Sequence, residues 1–401
     1  MSPNLTISRT RAAMMAIAGI ALAAVPTIAC GDILNVPGDY PTIQAAIIAS
    51  SHGDEVVIAP GEYTEAINFL GRAITVRGQN PSDSAIVAAT IINGNGADRV
   101  VQCVNGEGPG SVLAGLTITG GRGDFNEPAQ DGAGMYNFGS SPTVRDCIFT
   151  GNYAYVSGGG MYNEGGAPLI ERCRFDNNQA GSGGGMFNQS SNVTARGCTF
   201  TGNESFEDVG GGLFNVNGTT TYEQCRFYGN IASNEGGAGN QGGMATYTDC
   251  EFIGNRAGGC GGGMSNFFGA AVTLVRCTFT GNSAGACADA IRNYQATPTL
   301  IDCVVCSNGD DQIDGAYTDG GGNIISQGCP LAAPAGSCCV NGACVALVEA
   351  DCIALGGAYQ GDFMSCVETT CPPTCAGDIT GDGVTNVTDL LALLAAWGAC
   401  P

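Results

Sequence analysis

The sequence contains no lysine and only one histidine, so all 14 of its basic residues are arginine. Against 36 acidic residues this leaves a formal net charge of -22 at pH 7. A surface this acidic repels nucleic acids and anionic membranes, and it suits cations such as calcium or neutral and cationic partners. The shortage of basic side chains therefore argues against a DNA- or RNA-binding protein.

Long apolar runs are also missing, because no segment after residue 30 reaches the roughly 18 apolar residues that a membrane-spanning helix needs. The run AAMMAIAGIALAAV is shorter, follows the basic stretch SRTR and precedes the small-residue sequence TIAC. This order is typical of a signal peptide, which we predict over residues 1–30, with a secreted or cell-surface destination. Cys30 admits a second interpretation as a lipid-modified first residue, although Thr27 stands where such signals usually have leucine.

An uninterrupted helical pattern is missing from the middle of the chain, and a repeat takes its place. Phrases such as ERCRFDNN and RGCTFTGN recur every 25–27 residues. Their cysteines are Cys147, Cys173, Cys198, Cys225, Cys250, Cys277 and Cys303. A second phrase, such as GGGMYN, precedes each copy and ends at Asn137, Asn163, Asn188, Asn215, Asn240, Asn266 and Asn293.

Each repeat contains two short runs that alternate with period two, separated by Gly, Asn, Ser and Pro clusters that end strands. Strands that recur once per repeat stack in parallel, about 4.8 Å apart, and wind a solenoid. The predicted fold class is therefore all-β, a parallel β-helix. Met161 and Phe175 should point inward beneath Met186 and Phe200, and Cys173 should share the inward face.

A third set of asparagines closes the cysteine phrases, where we expect turns. Asparagine tolerates the left-handed conformation and can hydrogen-bond to its equivalents in a ladder. These residues are Asn152, Asn178, Asn203, Asn230, Asn255, Asn282 and Asn308. We predict about ten or eleven coils over residues 54–328, preceded by a capping helix within residues 31–53 whose N-cap is Thr42.

The opening segments DYPTIQAAI and GDEVVIAPGEYTEAI resemble the start of the pectin-lyase-like, right-handed parallel β-helix superfamily. The GG-x-[MLI] and F-x-x-N phrases are similar to the repeats of polymorphic outer-membrane proteins. Together the resemblances cover roughly residues 32–328 and imply a right-handed parallel β-helix. They imply little about activity, because the superfamily includes lyases, hydrolases, esterases, adhesins and inert spikes.

Lyases of that superfamily use a calcium-binding carboxylate cluster with a basic residue, and its hydrolases use clustered aspartates. Here Asp146, Asp249 and Asp302 precede ladder cysteines in non-consecutive coils only. That spacing predicts a solvated face without the paired carboxylates of glycoside hydrolysis, so we assign no catalytic residue. The sole histidine, His52, lies in the predicted cap and is expected to be exposed.

The cysteines fall into three groups. The seven ladder cysteines form a column that does not converge on a point, so we expect buried free thiols and no zinc site. Cys260 and Cys287 occupy equivalent positions in adjacent coils, where a disulfide is compatible with the spacing but not required. Residues 329–374 are cysteine-rich, and disulfides are favoured over zinc there because paired C-x2-C knuckles and histidine are missing.

The C-terminal stretch GDITGDGVTNVTDLLALLAAW follows the pattern of an EF-hand calcium loop and its outgoing helix. The predicted ligands by loop position are Asp378 (1), Thr380 (3), Asp382 (5), the Val384 carbonyl (7), Asn386 (9) and Asp389 (12). A solvated acidic turn before a core helix is the alternative. Residues 375–401 resemble one dockerin repeat, which implies calcium as a cofactor and a cohesin-like partner. Dockerins usually carry two repeats, and the side chains of Thr380 and Asp389 predict modest calcium affinity.

Two functions are compatible with these features. The first is an exported, non-catalytic β-helical protein for binding or adhesion, with polysaccharide or a cell-surface protein as partner and a calcium-binding tail that retains it. The alternative is a polysaccharide lyase or glycoside hydrolase with a dockerin-like module. A concave cluster of carboxylates and arginine would favour the enzyme; no such cluster is evident in the sequence, so we favour the binding protein.

Overall fold

The computed structural model describes residues 31–96, 99–123 and 131–329, together with the backbone of three further strands between residues 336 and 362. Residues 31–329 wind into a parallel β-solenoid whose strands form four ladders, which we name sheets A to D. All four run along the solenoid, and a residue in one coil pairs with its equivalent in the next. In the described part of the chain, neither helix has the length and apolarity that a membrane crossing requires.

Sheets A and B are the longest in the described residues. The strands of sheet A are Ile33–Val36, Glu55–Ile58, Thr75–Gly78, Val112–Ala114, Thr143–Arg145, Leu169–Glu171, Thr194–Arg196, Thr219–Glu223, Met244–Thr248, Ala271–Val275, Thr299–Ile301 and Thr318–Asp319. The strands of sheet B are Gly61–Thr64, Thr90–Asn93, Thr117–Thr119, Ile148–Thr150, Arg174–Asp176, Thr199–Thr201, Arg226–Tyr228, Glu251–Ile253, Thr278–Thr280, Val304–Cys306 and Ile324–Ser326.

Sheets C and D complete each coil. The strands of sheet C are Ile67–Asn68, Val101–Cys103, Met135–Phe138, Met161–Glu164, Met186–Gln189, Leu213–Val216, Ala238–Gln241, Met264–Phe267, Ile291–Tyr294 and Ile313–Asp314. The strands of sheet D are Arg122–Gly123, Tyr153–Ser157, Gln179–Ser182, Glu204–Ser205, Ile231–Ala232, Arg256–Ala257 and Ser283–Ala284. Separate antiparallel strands follow at Gly336–Val340, Ala343–Leu347 and Ala358–Asp362.

The parallel solenoid is confirmed, but the sequence analysis found only two of the four strands in a full coil. It predicted the runs that contain Met161 and Phe175 and missed the sheet A strand between them, Leu169–Glu171. The residues of that strand vary from coil to coil, whereas the equally short sheet B strand Arg174–Asp176 belongs to the recurring C-x-F phrase. The short sheet D strands were missed for the same reason.

The core consists of columns of like side chains, as predicted. Met161 pairs with Met186 and Phe175 pairs with Phe200, and all four side chains are fully buried. The column of phenylalanines from Phe149 to Phe279 stacks ring on ring, with centroids 4.4–5.0 Å apart. The spacing follows from the parallel backbone pairing, which brings identical side chains to van der Waals distance in every coil.

The ladder cysteines are buried free thiols, also as predicted. Each thiol donates a weak hydrogen bond to a backbone carbonyl, as from the Sγ of Cys173 to the carbonyl of Val144 at 3.5 Å. Burial raises the pKa of the Cys173 thiol well above its ordinary value. Enclosed in the core, the ladder cysteines pack as small apolar side chains.

The predicted asparagine ladder is present, but its members are not the left-handed residues of their turns. Asn178 Nδ2 donates to Asn203 Oδ1 at 3.0 Å and to the carbonyl of Phe149 at 2.9 Å, and both asparagines are buried. The left-handed residue is the preceding one, such as Asn177 with φ 54° or Gly202 with φ 61°. That residue reverses the chain, and the following asparagine turns its amide inward.

A second ladder runs through the asparagines of the GGGMYN phrases, in sheet C. Asn163 Nδ2 donates to Asn188 Oδ1 at 2.7 Å, and the pattern repeats from Asn137 to Asn293. The sequence showed the period of these residues but not their role. Every asparagine of this row except the last donates to the equivalent asparagine of the next coil. The buried amides of sheet C are therefore hydrogen-bonded to one another.

The N-terminal segment differs from the predicted cap, because it also contributes a strand. Ile33–Val36 pairs with Glu55–Ile58 as the first strand of sheet A. Helix α1, Ile43–Ala49, follows Thr42, whose hydroxyl accepts a hydrogen bond from Ala45 N at 3.1 Å. Residues 31–53 are thus not a separate capping helix but the start of the solenoid with one helix packed upon it.

The C-terminal end of the solenoid is held by a disulfide between Cys306 and Cys329. Cys329 is the first residue of the predicted cysteine-rich segment, so that boundary lies within a cross-linked unit. A second disulfide joins Cys260 to Cys287 in adjacent coils, which answers the open question about that pair. Residues 1–30 and 375–401, predicted as signal peptide and calcium-binding repeat, lie outside the described residues.

The ladder of turn asparagines, which includes Asn178 and Asn203, should account for a measurable part of the free energy of unfolding. Asn203→Ala would leave Asn178 N and the Phe175 carbonyl without their amide partner, and each buried unpaired group costs about 1–3 kcal/mol. We expect the free energy of unfolding, measured by denaturant titration, to fall by about 3 kcal/mol or more. Gln179→Ala removes an exposed amide and should change it by less than about 0.5 kcal/mol. Equal effects of the two substitutions would contradict the role of the ladder.

Candidate functional site

The aspartates singled out in the sequence do not converge. Asp146, Asp249 and Asp302 all have left-handed φ angles of 52–56° and lie in the turns between sheets A and B, not on a strand face. Arg172 binds Asp146 through two hydrogen bonds of 2.7 and 3.0 Å, and Arg276 binds Asp249 in the same way. Asp146 and Asp249 are therefore members of separate surface ion pairs.

The outer face of sheet C carries a column of aromatic side chains. Tyr136, Tyr162 and Phe187 stack with centroids 5.4 Å apart, and Phe214 follows edge-on. Tyr162, Phe187 and Phe214 are only 5–7% exposed, because they form a second apolar cluster with Val209 and Phe267. A ligand cannot stack on rings that are already covered, so this column is a structural feature.

The column stops after Phe214, where the equivalent residues become Gly239, Ser265 and Arg292. The missing rings leave space on the outer face of sheet C. The long side chain of Arg292 lies in that space and forms an ion pair with Glu235, which belongs to an earlier coil. The loss of two aromatic side chains thus creates a depression with a charged pair in it.

Glu235 is held in the turn between sheets D and C. Its backbone bridges Val209 on one side and Cys260 on the other, and Cys260 is cross-linked to Cys287. The residue is 9% exposed, and its Oε2 has no hydrogen-bond partner among the described residues. Arg292 contacts only the other oxygen, so Oε2 is a buried acceptor whose hydrogen-bonding capacity is unused.

Phe268 stands beside this carboxylate in an unusual conformation. It is 57% exposed and has a left-handed φ of 47°. Its equivalents in the other coils share the left-handed backbone but are Gly139, Gly165, Ser190, Asn217, Gly242 and Gln295. The turn requires the conformation and disfavours a bulky apolar side chain, so the solenoid gives no reason for a phenylalanine here.

These groups line one cavity of about 230 Å³, which we call the Glu235 cleft. Its lining residues are Asp208, Val209, Asn234, Glu235, Gln241, Phe267, Phe268, Arg292 and Tyr294. Tyr294 is 44% exposed and lies edge-on to Phe268, with ring centroids 5.7 Å apart. Exposed rings beside carboxylate and amide acceptors can take a ligand that has an apolar face and hydroxyl donors.

The cleft corrects the sequence analysis, which found no concave cluster of carboxylates and arginine. Two signals were present. NFFGAA has phenylalanine where the equivalent turns have Gly, Ser, Asn or Gln, and the aromatic position of the GGGMYN phrase becomes glycine in GGAGN and serine in GGGMSN. Neither signal revealed that Glu235 and Arg292 would meet.

The predicted calcium ligands from Asp378 to Asp389 lie outside the described residues, as does the predicted cysteine-rich segment apart from Cys329 and the backbone of its three strands. Within residues 31–329 as described, no group of three or more His, Cys, Asp or Glu side chains is arranged to hold a metal ion. His52 is exposed, as expected, and its Nδ1 accepts a hydrogen bond from Ala73 N at 3.0 Å.

Solved structures with a similar fold include pectin methylesterases and a phage tailspike. The Aspergillus niger pectin methylesterase is 13% identical, with a TM-score of 0.42 over 73% of this chain and 91% of that one. The pectin methylesterase PemA of Erwinia chrysanthemi is 12% identical, with a TM-score of 0.39 over 55% and 78% of the two chains. A tailspike capsular polysaccharide depolymerase of the Acinetobacter baumannii bacteriophage Fri1 is 13% identical, with a TM-score of 0.36 over 75% and 63%.

No curated protein matches the sequence at a significant level. The family model of the right-handed β-helix region matches residues 37–239, which is half of the chain. The matched segment covers seven strands of sheet A, from Glu55–Ile58 to Thr219–Glu223, and the aromatic column of sheet C. The chain therefore belongs to the right-handed β-helix family.

Proposed function

We propose that this chain is an exported, non-catalytic protein that binds polysaccharide through the Glu235 cleft and is retained through a calcium-binding C-terminal repeat. The observation that carries the proposal is Phe268, an exposed aromatic side chain in a left-handed turn beside a buried, half-partnered carboxylate. Strain of this kind persists where the surrounding structure enforces it and function uses it. A sugar ring supplies the apolar face for Phe268 and the hydroxyl for Glu235.

The charge of the cleft supports a neutral or cationic sugar. Asp208 and Glu235 contribute two carboxylates, and Arg292 neutralises one of them. Asn234 and Gln241 add amide groups that both donate and accept hydrogen bonds. The backbone of Glu235 pairs with Cys260, and the disulfide from Cys260 to Cys287 restrains this side of the cleft. The site is therefore largely formed before a ligand binds.

A polysaccharide-active enzyme is the second candidate, and the cleft gives it more support than the sequence did. Glu235 is a buried carboxylate in a cleft with Asp208, and enzymes that cleave glycosidic bonds use two such groups. The ion pair with Arg292 favours binding over catalysis, because it holds the Glu235 carboxylate as an acceptor and gives it no proton to donate.

The tail is proposed on sequence grounds alone. The ligands Asp378, Thr380, Asp382, the Val384 carbonyl, Asn386 and Asp389 would give calcium a ring of oxygens. Export rests on the predicted signal over residues 1–30. A cohesin-like or other cell-surface partner would then hold the protein at its site of action, while the solenoid presents the Glu235 cleft to polysaccharide.

Phe268→Asn should separate stability from binding. Asparagine tolerates the left-handed turn, which costs other residues about 1–2 kcal/mol, so we expect the free energy of unfolding to rise by up to about 1 kcal/mol. Affinity electrophoresis in gels containing neutral polysaccharides should show wild-type retardation and loss of it in the variant. Phe138→Ala removes a phenylalanine of sheet C that is 50% exposed but far from the cleft, and should keep wild-type retardation. Unchanged binding by Phe268→Asn would remove the cleft from the proposal.

Catalysis is tested by a screen for released sugars. We expect the wild-type protein to release neither unsaturated nor reducing ends from a polysaccharide panel, with or without a chelator, and Glu235→Gln to weaken binding at least tenfold. The substitution keeps the shape of the side chain but removes the charge that Arg292 binds. Sugar release that disappears in Glu235→Gln would instead establish the enzyme.

Calcium binding is tested on the full-length protein. Isothermal titration should show one calcium site, and Asp382→Ala should abolish it, because the loop loses the carboxylate at position 5. Asp319→Ala removes an acidic side chain of the solenoid and should leave the site intact. A wild-type protein that binds no calcium would refute the EF-hand interpretation while leaving the cleft untouched.

A further inference from the structure

Helix α2, Ser84–Ala89, interrupts the regular wall of the solenoid. It occupies the turn between sheets A and B of the third coil, where later coils turn through one left-handed residue such as Asp146 or Arg172. Thr117 Oγ1 of the next coil donates to the Val87 carbonyl at 2.9 Å and holds the helix down. The insertion thus forms a ledge over the turns of the following coils.

A glycine lets the ledge lie close to the wall. Pro81, just before α2, packs on Gly115, where a Cβ atom would lie 2.4 Å from the Pro81 Cα. Gly115 also has a left-handed φ of 64°, so no other residue suits the position. Beyond Gly115 the wall continues at its normal height, and a groove opens between α2 and the turns of the fifth and sixth coils.

The groove consists of two adjoining cavities of about 630 and 390 Å³ that share Pro81, Ser82, Asp146 and Arg172. We call it the arginine groove, because four arginines line it: Arg77, Arg145, Arg172 and Arg174. Asp146 is the one carboxylate in that lining. A chain with 14 arginines and a net charge of -22 has thus gathered four of them around a single groove.

The guanidinium groups of Arg145, Arg172 and Arg174 are paired with carboxylates but retain exposed surface. Arg77 is more fully occupied, because its Nη1 also donates to the carbonyls of Gly78 and Gln79. Arg77 forms an ion pair with Glu55 at 2.7 Å, and Arg174 forms one with Asp176 at 2.7 Å. Asp146 forms ion pairs with two arginines, Arg172 at 2.7 Å and Arg145 at 3.7 Å. Glu171 lies 4.0 Å from Arg172. These contacts fix the orientation of the guanidinium groups but do not use all five N–H donors of each arginine.

The remaining donors face solvent. The side chains of Arg172 and Arg174 are 57% and 60% exposed, and that of Arg145 is 38% exposed. Fixed, accessible guanidinium forks bind carboxylate and sulfate groups with paired hydrogen bonds. Opposite them, Ala85 and Ala88 of α2 and the side chain of Ile148 supply apolar surface.

We propose that the arginine groove binds a saccharide that carries carboxylate or sulfate groups. The guanidinium groups bind the anionic groups, and the apolar face of a sugar ring packs against Ala85 and Ala88 of helix α2. The groove belongs to the turns between sheets A and B near the third to sixth coils, whereas the Glu235 cleft lies on sheet C several coils away. The protein therefore has two sites with opposite charge preference.

The test uses the full-length protein and hexasaccharide probes in isothermal titration at low and moderate salt. A heparin hexasaccharide carries sulfate groups and a galacturonate hexasaccharide carries only carboxylates, so the two arms distinguish the anion; maltohexaose is the neutral control. We expect at least one anionic probe to bind, more weakly at higher salt, and maltohexaose not to bind at this site. Absence of binding by both anionic probes overturns the proposal.

Variants identify the site. Arg145→Gln with Arg174→Gln should lower affinity at least tenfold, and the corresponding double lysine variant should recover only part of it, because lysine lacks the planar fork. Ala88→Trp should block the groove without changing its charge. Arg256→Gln removes an exposed arginine of sheet D and should stay within twofold of wild type.

Two further results decide the matter. An equal loss of affinity in Arg256→Gln would mean attraction to the surface as a whole and would refute the groove. Phe268→Asn should bind the anionic probe like wild type, which keeps this result independent of the Glu235 cleft. Thermal unfolding of each variant, with midpoints within a few degrees of wild type, excludes misfolding as the cause.

Discussion

Parallel backbone hydrogen bonding between coils is the interaction on which the structure depends, because it places each residue beside its equivalent one coil away. A side chain must therefore tolerate a copy of itself. Phenylalanine stacks on phenylalanine, and a buried asparagine donates to the next asparagine, as Asn178 does to Asn203. Charged side chains meet opposite charges instead, as Arg172 meets Asp146 and Arg196 meets Glu223.

Both proposed binding sites lie where that regularity is broken. The aromatic column of sheet C gives way to Gly239 and Ser265, and the vacated space lets Arg292 reach Glu235. At the arginine groove the break is an insertion, since α2 replaces a one-residue turn. In both places the unbroken coils on either side act as a rigid frame, so the irregular residues are held in fixed positions.

The parts of the fold that follow from local periodicity were predictable. The inward columns of Met161, Phe175 and Cys173 are confirmed. A residue that recurs at the same strand position in every coil faces the same side of the sheet as its copies. Sheet A strands such as Leu169–Glu171 were missed, since their residues vary between coils and give no recurring phrase. The left-handed position of each turn is one residue earlier than expected, and in five of the seven copies it is a glycine, such as Gly202 before Asn203.

The sites divide along the same line. A calcium loop is a contiguous stretch, so the ligands from Asp378 to Asp389 can be proposed from spacing alone, and the solenoid architecture follows from a period that every coil repeats. The Glu235 cleft, the arginine groove and the Cys306–Cys329 disulfide join residues from different coils. Their formation depends on which side chains are missing between them and on how far a long arginine reaches across the gap. Those are distances in space, and the order of residues along the chain does not contain them.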